Sequence, residues 1–248
     1  MNRNAFRFAG SVLLALVVAG CRTTPHPPVA SVHRCPTTAP AIALSEPKAG
    51  EITVEQLMLL LPRHPIVVGF DVDDTLVFSA PAFNALQPEY EADVIRPKDY
   101  SKLTPEQKAQ YHEFWNRLNG EFDDRSIPKK IGKRLLDLHV ARGDQIWIIS
   151  KRQSIVPTPA EDVVTRRYER MFGMKFQHPV VQTQLKDKTP FICERKIAYY
   201  YGDADGDITA SVAAGAVPIR VKRAPDSYGR DPVHNGRLGE IVIQDSER

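Results

Sequence analysis

Three short polar clusters carry most of the chemistry this chain could do. Asp71-Val72-Asp73-Asp74-Thr75, Ser150-Lys151-Arg152 and Gly202-Asp203-Ala204-Asp205-Gly206-Asp207 each follow a run of apolar residues. Carboxylates grouped this way can hold a hard cation through oxygen, exchange protons or act as nucleophiles. One Asp-x-Asp alone is weak evidence, because acidic turns and helix caps are common. Two such clusters behind apolar runs, with a serine between them, are a much sharper signal. No C-x-x-C or H-E-x-x-H occurs and the seven histidines are scattered. Zinc therefore has no support, and Asp and Glu are the candidate metal ligands.

The segments that must position these clusters read as alternating strands and helices. Ile66-Val67-Val68-Gly69-Phe70, Ile146-Trp147-Ile148-Ile149, Ile197 to Tyr201 and Val217 to Val221 are continuous apolar runs, as in strands buried on both faces. Between them, Ser126 reads as a helix cap with Pro128 in the first turn. Ile127, Ile131, Leu135 and Leu138 then mark one helical face, and Gly143 is a stop. A small-residue helix is expected around Thr209 to Ala214, ending at Gly215. This alternation predicts an α/β fold with a doubly wound parallel sheet, whose ligands bind beyond the carboxyl ends of the strands. The polar and aromatic stretch 79–125 breaks the alternation. It reads as a small cap inserted after the first strand, with a helix from Pro105 to Asn119.

The N-terminus reads as a targeting segment. Arg3 and Arg7 precede the apolar run Val12 to Val18, which is too short to span a bilayer. Residues 1–20 are thus a signal peptide, and Val18-Ala19-Gly20-Cys21 resembles a bacterial lipobox, with Cys21 lipidated. The expected location is the periplasmic side, anchored to a membrane through Cys21. Residues 21–50 hold six prolines and form a tether, leaving 51–248 as the folded domain. Three cysteines exclude a disulfide scaffold; Cys35 has no evident partner, and a bond to Cys193 stays open. Without Arg3 and Arg7, 31 basic residues face 30 acidic ones. That balance excludes a nucleic-acid binder relying on a broad basic surface.

The motifs also carry a family likeness. Phe70-Asp71-Val72-Asp73-Asp74-Thr75 resembles the first motif of the haloacid dehalogenase superfamily, Ser150 its second and Gly202 to Asp207 its fourth. Phe78-Ser79-Ala80-Pro81, Ser126-Ile127-Pro128-Lys129 and Tyr201 to Ile208 are similar to motifs of the bacterial class B acid phosphatases, over about residues 65 to 245. The resemblance implies an exported, magnesium-dependent acid phosphatase acting on phosphate monoesters such as nucleotides and aryl phosphates, often a homotetramer. It makes Asp71 the nucleophile that forms an aspartyl-phosphate and Asp73 the general acid, then base. Asp71, the Asp73 carbonyl and Asp203 would hold Mg²⁺, and Asp207 would orient a metal-bound water. Ser150 and the backbone N–H of Lys151 would bind phosphate with Lys188, for which Lys186 is the competitor. Phe83 and Tyr228, and more weakly Trp115, would line a leaving-group pocket.

Two departures stand out. Ser150-Lys151-Arg152 replaces the family's Thr-Gly-Arg, and a lipobox is typical of class C acid phosphatases rather than class B. A class C-like enzyme or 5′-nucleotidase, a phosphotransferase to nucleosides and a non-catalytic lipoprotein are the competing readings. Other phosphatase chemistries lack their residues: Tyr199, not Arg, lies six positions after Cys193, and Pro65 follows Arg63-His64 where a glycine is needed.

Overall fold

The computed structural model describes residue 35 and residues 50–152, 162–229 and 231–248. The signal peptide, Cys21 and all but two residues of the tether lie outside the described residues. The elements run β1 (Glu51–Ile52), α1 (Val54–Leu60), β2 (Val67–Phe70), β3 (Val77–Phe78), α2 (Ala80–Leu86), α3 (Ala92–Ile95), α4 (Pro105–Arg117) and β4 (Ile127–Pro128). They continue with α5 (Lys130–Arg142), β5 (Gln145–Lys151), α6 (Val163–Phe172), β6 (Val181–Thr183), α7 (Thr189–Glu194), β7 (Tyr199–Gly202), α8 (Asp205–Ala213), β8 (Val217–Val221) and β9 (Ile241–Ile243).

Seven strands form one sheet in the order β1-β9-β8-β7-β2-β5-β6, and the pairings are parallel throughout. The fold is the expected α/β doubly wound sheet. After β2 the chain builds outward through β5 and β6, then returns to the other side of β2 with β7. The strand order therefore reverses at β2, which places a crevice at its carboxyl end. Register sharpens this. Phe70 lies opposite both Ile148 and Tyr201, so the three polar clusters leave the sheet side by side. Phe70 and Tyr201 also stack with centroids 4.5 Å apart inside the main core. That contact buries the two strand ends that carry the clusters.

Residues 79–125 are mostly short helices between β3 and β4, around a second apolar core of Phe83, Leu86, Ile95, Phe114 and Tyr228. Thr104 and Gln107 cap α4 reciprocally, and Pro105 occupies its first turn. That local chemistry explains why this helix was legible.

Three expectations are corrected. Ser126 does not cap a helix. Ile127 and Pro128 pair antiparallel with Val77 and Phe78, so the backbone stays extended and α5 starts only after Lys129. Ile127 is exposed rather than on the buried helical face. Helix α8 begins at Asp205, one turn before the expected start, because the Asp207 carboxylate accepts from the Ala204 N–H and caps it. The bond left open between Cys35 and Cys193 is formed, which ties Cys35 to α7.

Candidate active site

The first cluster turns sharply after β2. The N–H of Asp71 donates to the carbonyl of Tyr201 at 2.8 Å, which locks it to β7. The Val72 carbonyl then accepts from Leu76 and Val77. Asp74 has a left-handed backbone (φ 59°), a conformation that short polar side chains tolerate. Its carbonyl accepts from buried Lys129 at 2.6 Å. Helix α5 packs against this turn so closely that a Cβ at Gly132 would meet the Leu76 carbonyl oxygen at 2.7 Å. The turn is thus held from the sheet, from Lys129 and from α5.

Asp71, Asp203 and Asp207 converge beyond the strand ends, each buried, with one oxygen apiece within 4.8 Å of the others. Gly202 makes this possible, since a Cβ there would overlap the Asp207 side chain. Asp207, expected to act at one remove, therefore stands as close as the other two. Lys188, the N-cap residue of α7, donates to Asp71 and, at 2.8 Å, to Asp207. Lys186 is exposed and outside the cluster. Arg223 holds the Asp203 carboxylate at 2.7 Å, and Arg220 donates to the Asp203 carbonyl, also at 2.7 Å.

Burial raises the pKa of Asp71, against the pull of Lys188. Burial, with repulsion from Asp207, pushes Asp203 up to about 6, against Arg223. Burial works against the charge on Lys188, but Asp207 and Asp71 outweigh it and hold the ammonium above the ordinary lysine range. Three buried carboxylates thus face two cations, Lys188 and Arg223. Excess negative charge on oxygen ligands at this spacing fits a hard divalent cation such as Mg²⁺. The residues that would hold it are Asp71, Asp203 and Asp207, together with the Asp73 carbonyl.

Asp73 differs from these three. Its side chain is 34% exposed, against 10% for Asp71, 4% for Asp203 and 6% for Asp207. Arg152 grips both its oxygens, at 2.9 and 3.1 Å. Desolvation raises the Asp73 pKa, with Arg152 opposing.

Arg152 is the functional group that residue-by-residue reading missed. Its guanidinium also donates to Asn119 (3.0 Å), Asp123 (2.8 Å) and the Ser150 hydroxyl oxygen (3.0 Å). One buried side chain thus joins the helical insertion, the serine and Asp73. Its place as the third residue of Ser150-Lys151-Arg152 was the available signal. Arg223 left no signal, since it lies in a loop with no motif of its own.

Ser150 is fully buried against the Arg152 guanidinium, and Lys151 is exposed at the end of β5. Phe83 and Tyr228 lie in the insertion core, stacked on each other at 3.7 Å with the Arg96 guanidinium on Tyr228 at 3.3 Å. Trp115 packs edge-on to Phe83. The structure brings these rings together, but Phe83 and Tyr228 leave no slot for a substrate ring between them.

Among solved structures, a candidate β-phosphoglucomutase from Bacteroides vulgatus superposes with a TM-score of 0.50 at 16% identity, covering 74% of this chain and 85% of that one. A hydrolase from Pseudomonas syringae gives 0.48 at 15% identity, over 72% and 92%. With the parallel sheet, the first of these likenesses defines the class of fold, a doubly wound α/β domain. No protein-family model matches it. Curated relatives are more specific. A class B acid phosphatase from Marinomonas sp. is 39% identical over 191 residues, 75% of this chain and 74% of the relative. Those of Haemophilus parainfluenzae and Morganella morganii are 38% and 35% identical, over 79% of this chain and 80% and 79% of theirs. The chain belongs to the class B acid phosphatase family and is a phosphoric monoester hydrolase.

Proposed function

We propose that this site hydrolyses phosphate monoesters by two in-line displacements, with Asp71 as nucleophile and Asp73 as acid and then base. The observation that carries the reading is the contrast between the two. Asp71 is buried and aligned by Lys188, whereas Asp73 is the open carboxyl at the cleft. An Asp71 oxygen attacks phosphorus and the P–O bond to the leaving alcohol breaks. Protonated Asp73 gives its proton to the departing oxygen. Asp73, now charged, takes a proton from water, whose oxygen attacks phosphorus and releases Asp71 and inorganic phosphate.

The neighbours serve these steps. Arg152 donates to the Ser150 oxygen, leaving the serine's own proton free for a phosphoryl oxygen. The Lys151 N–H is a second donor, and Lys188 offsets the charge on Asp71 as an anion approaches. Bound Mg²⁺ would supply charge neutralisation for the phosphoryl oxygens. The proline-rich segment and Val18-Ala19-Gly20-Cys21 support export and a lipid anchor at Cys21, and the family likeness supports a homotetramer.

The test is turnover of a phosphate-ester panel before and after exhaustive chelation. Loss on chelation, restored by Mg²⁺, is expected, and full activity in the chelated protein overturns the metal assignment. Labelled fatty acid should enter the wild type but not Cys21→Ser. A wild-type protein wholly soluble and starting elsewhere overturns the anchor.

A further inference from the structure

A buried ionic cluster outside the aspartate triad takes no direct part in the two displacements. Its centre is Asp123, near the end of the helical insertion, with 3% of its side chain exposed. One carboxylate oxygen accepts from the Arg152 guanidinium at 2.8 Å and from the Tyr168 hydroxyl at 2.6 Å. The other accepts from the Ser126 hydroxyl at 2.9 Å. Arg167 approaches the first oxygen at 3.5 Å and donates to the Asn119 and Gly120 carbonyls. Those two residues belong to a π-helical turn, Leu118–Phe122, that widens the chain after α4. Such turns are rare and concentrate at functional sites. From it the Asn119 side chain meets Arg152 at 3.0 Å.

These contacts converge on one guanidinium. Arg152 donates from Nε to Ser150, from Nη1 to Asn119 and Asp123, and from Nη2 to both oxygens of Asp73. A planar fork held on two sides has its third direction fixed. Stability does not account for the arrangement. Burying Asp123 with two arginines is costly, and apolar side chains of similar volume often hold a fold at least as well. The insertion has its own apolar core around Phe83, Leu86 and Phe114. What the ions supply is direction for Asp73, the most open carboxyl of the site. We infer that Asp123 is a positioning residue for proton delivery: it fixes the Arg152 guanidinium and, through it, aims the Asp73 carboxyl at the departing oxygen. The insertion thereby sets the geometry of the acid step. This rests on the acid role proposed for Asp73. Proton transfer needs hydrogen-bond reach, and a misplacement of about 1 Å can cost about 10²-fold.

The test is the ratio of kcat/KM for nitrophenyl phosphate to that for ethyl phosphate, in the full chain with Mg²⁺. Loss of folded protein, or of phosphoryl binding through Ser150, lowers both values and cancels in the ratio. Asp123→Asn should raise the ratio about tenfold or more, because only ethyl phosphate needs the aimed proton. Tyr168→Phe, which keeps the ring and removes one bond to Asp123, should raise it about threefold. Adding Asp123→Asn to Asp73→Asn should change the ratio no further, since no acid is left to aim. A further rise in that double variant overturns the inference. So does a wild-type ratio in Asp123→Asn and Tyr168→Phe beside a raised one in Asp73→Asn, which leaves the acid standing. Where Asp123→Asn does not fold, a wild-type ratio in Tyr168→Phe suffices to overturn it. A wild-type ratio in Asp73→Asn itself overturns the acid role and the positioning together.

Discussion

Two buried ionic clusters lie at opposite ends of the sheet, and only one is internally complete. Below the amino ends of β2 and β5, His139 bonds Asp144 at 2.6 Å and the Tyr201 hydroxyl at 2.8 Å. The other contacts of Asp144 are the Ile66 N–H at 2.9 Å and Arg142 at 2.8 Å. One carboxylate there meets a cation, an imidazole and a backbone donor. At the carboxyl end, Asp71, Asp203 and Asp207 share Lys188 and Arg223 and keep a surplus of negative charge. The lower cluster is arranged for stability. The upper one keeps a surplus of buried charge, at a cost in stability, which under the proposed function a cation and a phosphate would offset.

The first way to break this comparison is Asp71→Asn. Turnover should fall by about 10⁴-fold or more on every ester, as when a nucleophile is removed. Melting temperature in chelator should hold or rise, because a buried charge is gone. A fall in stability matching that of a lower-cluster variant would erase the distinction.

Asp73→Asn sharpens the division within the upper cluster. Alkyl phosphates should lose about 10² to 10⁴-fold, the usual worth of general-acid help. Nitrophenyl phosphate, whose leaving group needs no proton, should lose far less. Equal losses on the two substrates, with metal still bound, would remove the acid role and leave the nucleophile standing.

Asp144→Ala is the complementary change below the sheet. It strands buried His139 and should cost about 3–5 kcal/mol of stability, read by denaturant titration. The kcat of the folded fraction should be within a few fold of wild type, since the cluster reaches the site only through the backbone of Tyr201, which the sheet pairing holds independently.

The smallest effect is in pH. Burial disfavours the charge on Asp144, but His139 and Arg142 prevail and its pKa lies below the ordinary carboxylate value. Its contribution is present above that value and lost as pH falls through the folded pKa. Asp203 responds in the opposite sense. With its pKa raised to about 6, it binds a proton more tightly folded than unfolded, so metal-free protein loses stability as pH rises from about 4 to 6, by at most about 3 kcal/mol. Thermal melts in chelator should show this loss, Asp203→Asn should abolish it, and added Mg²⁺ should stabilise more at pH 7 than at pH 5. A metal-free protein whose stability climbs through that window, with or without Asp203, contradicts it.

What the amino-acid sequence determined by itself was local. Continuous apolar runs specify buried strands because each residue of a strand covered on both faces must be apolar. Gly143 ends α5 because a left-handed cap (φ 73°) suits glycine. The acidic clusters were legible because they follow such strands directly. Strands β1, β6 and β9, two or three residues long, are too short for any period to show and exist only because neighbours pair with them. Tertiary structure alone decided how charges were matched. Arg152 meets Asp73 across 79 residues and Asp123 across 29, Arg223 meets Asp203 across 20, and Cys35 meets Cys193 across 158. The motif order pointed to Lys188 over Lys186, but only the fold presses Lys188 onto Asp71 and leaves Lys186 in solvent. A side chain's type sets what it can donate or accept, whereas the partner and the burial that set its charge come from segments brought together by the sheet.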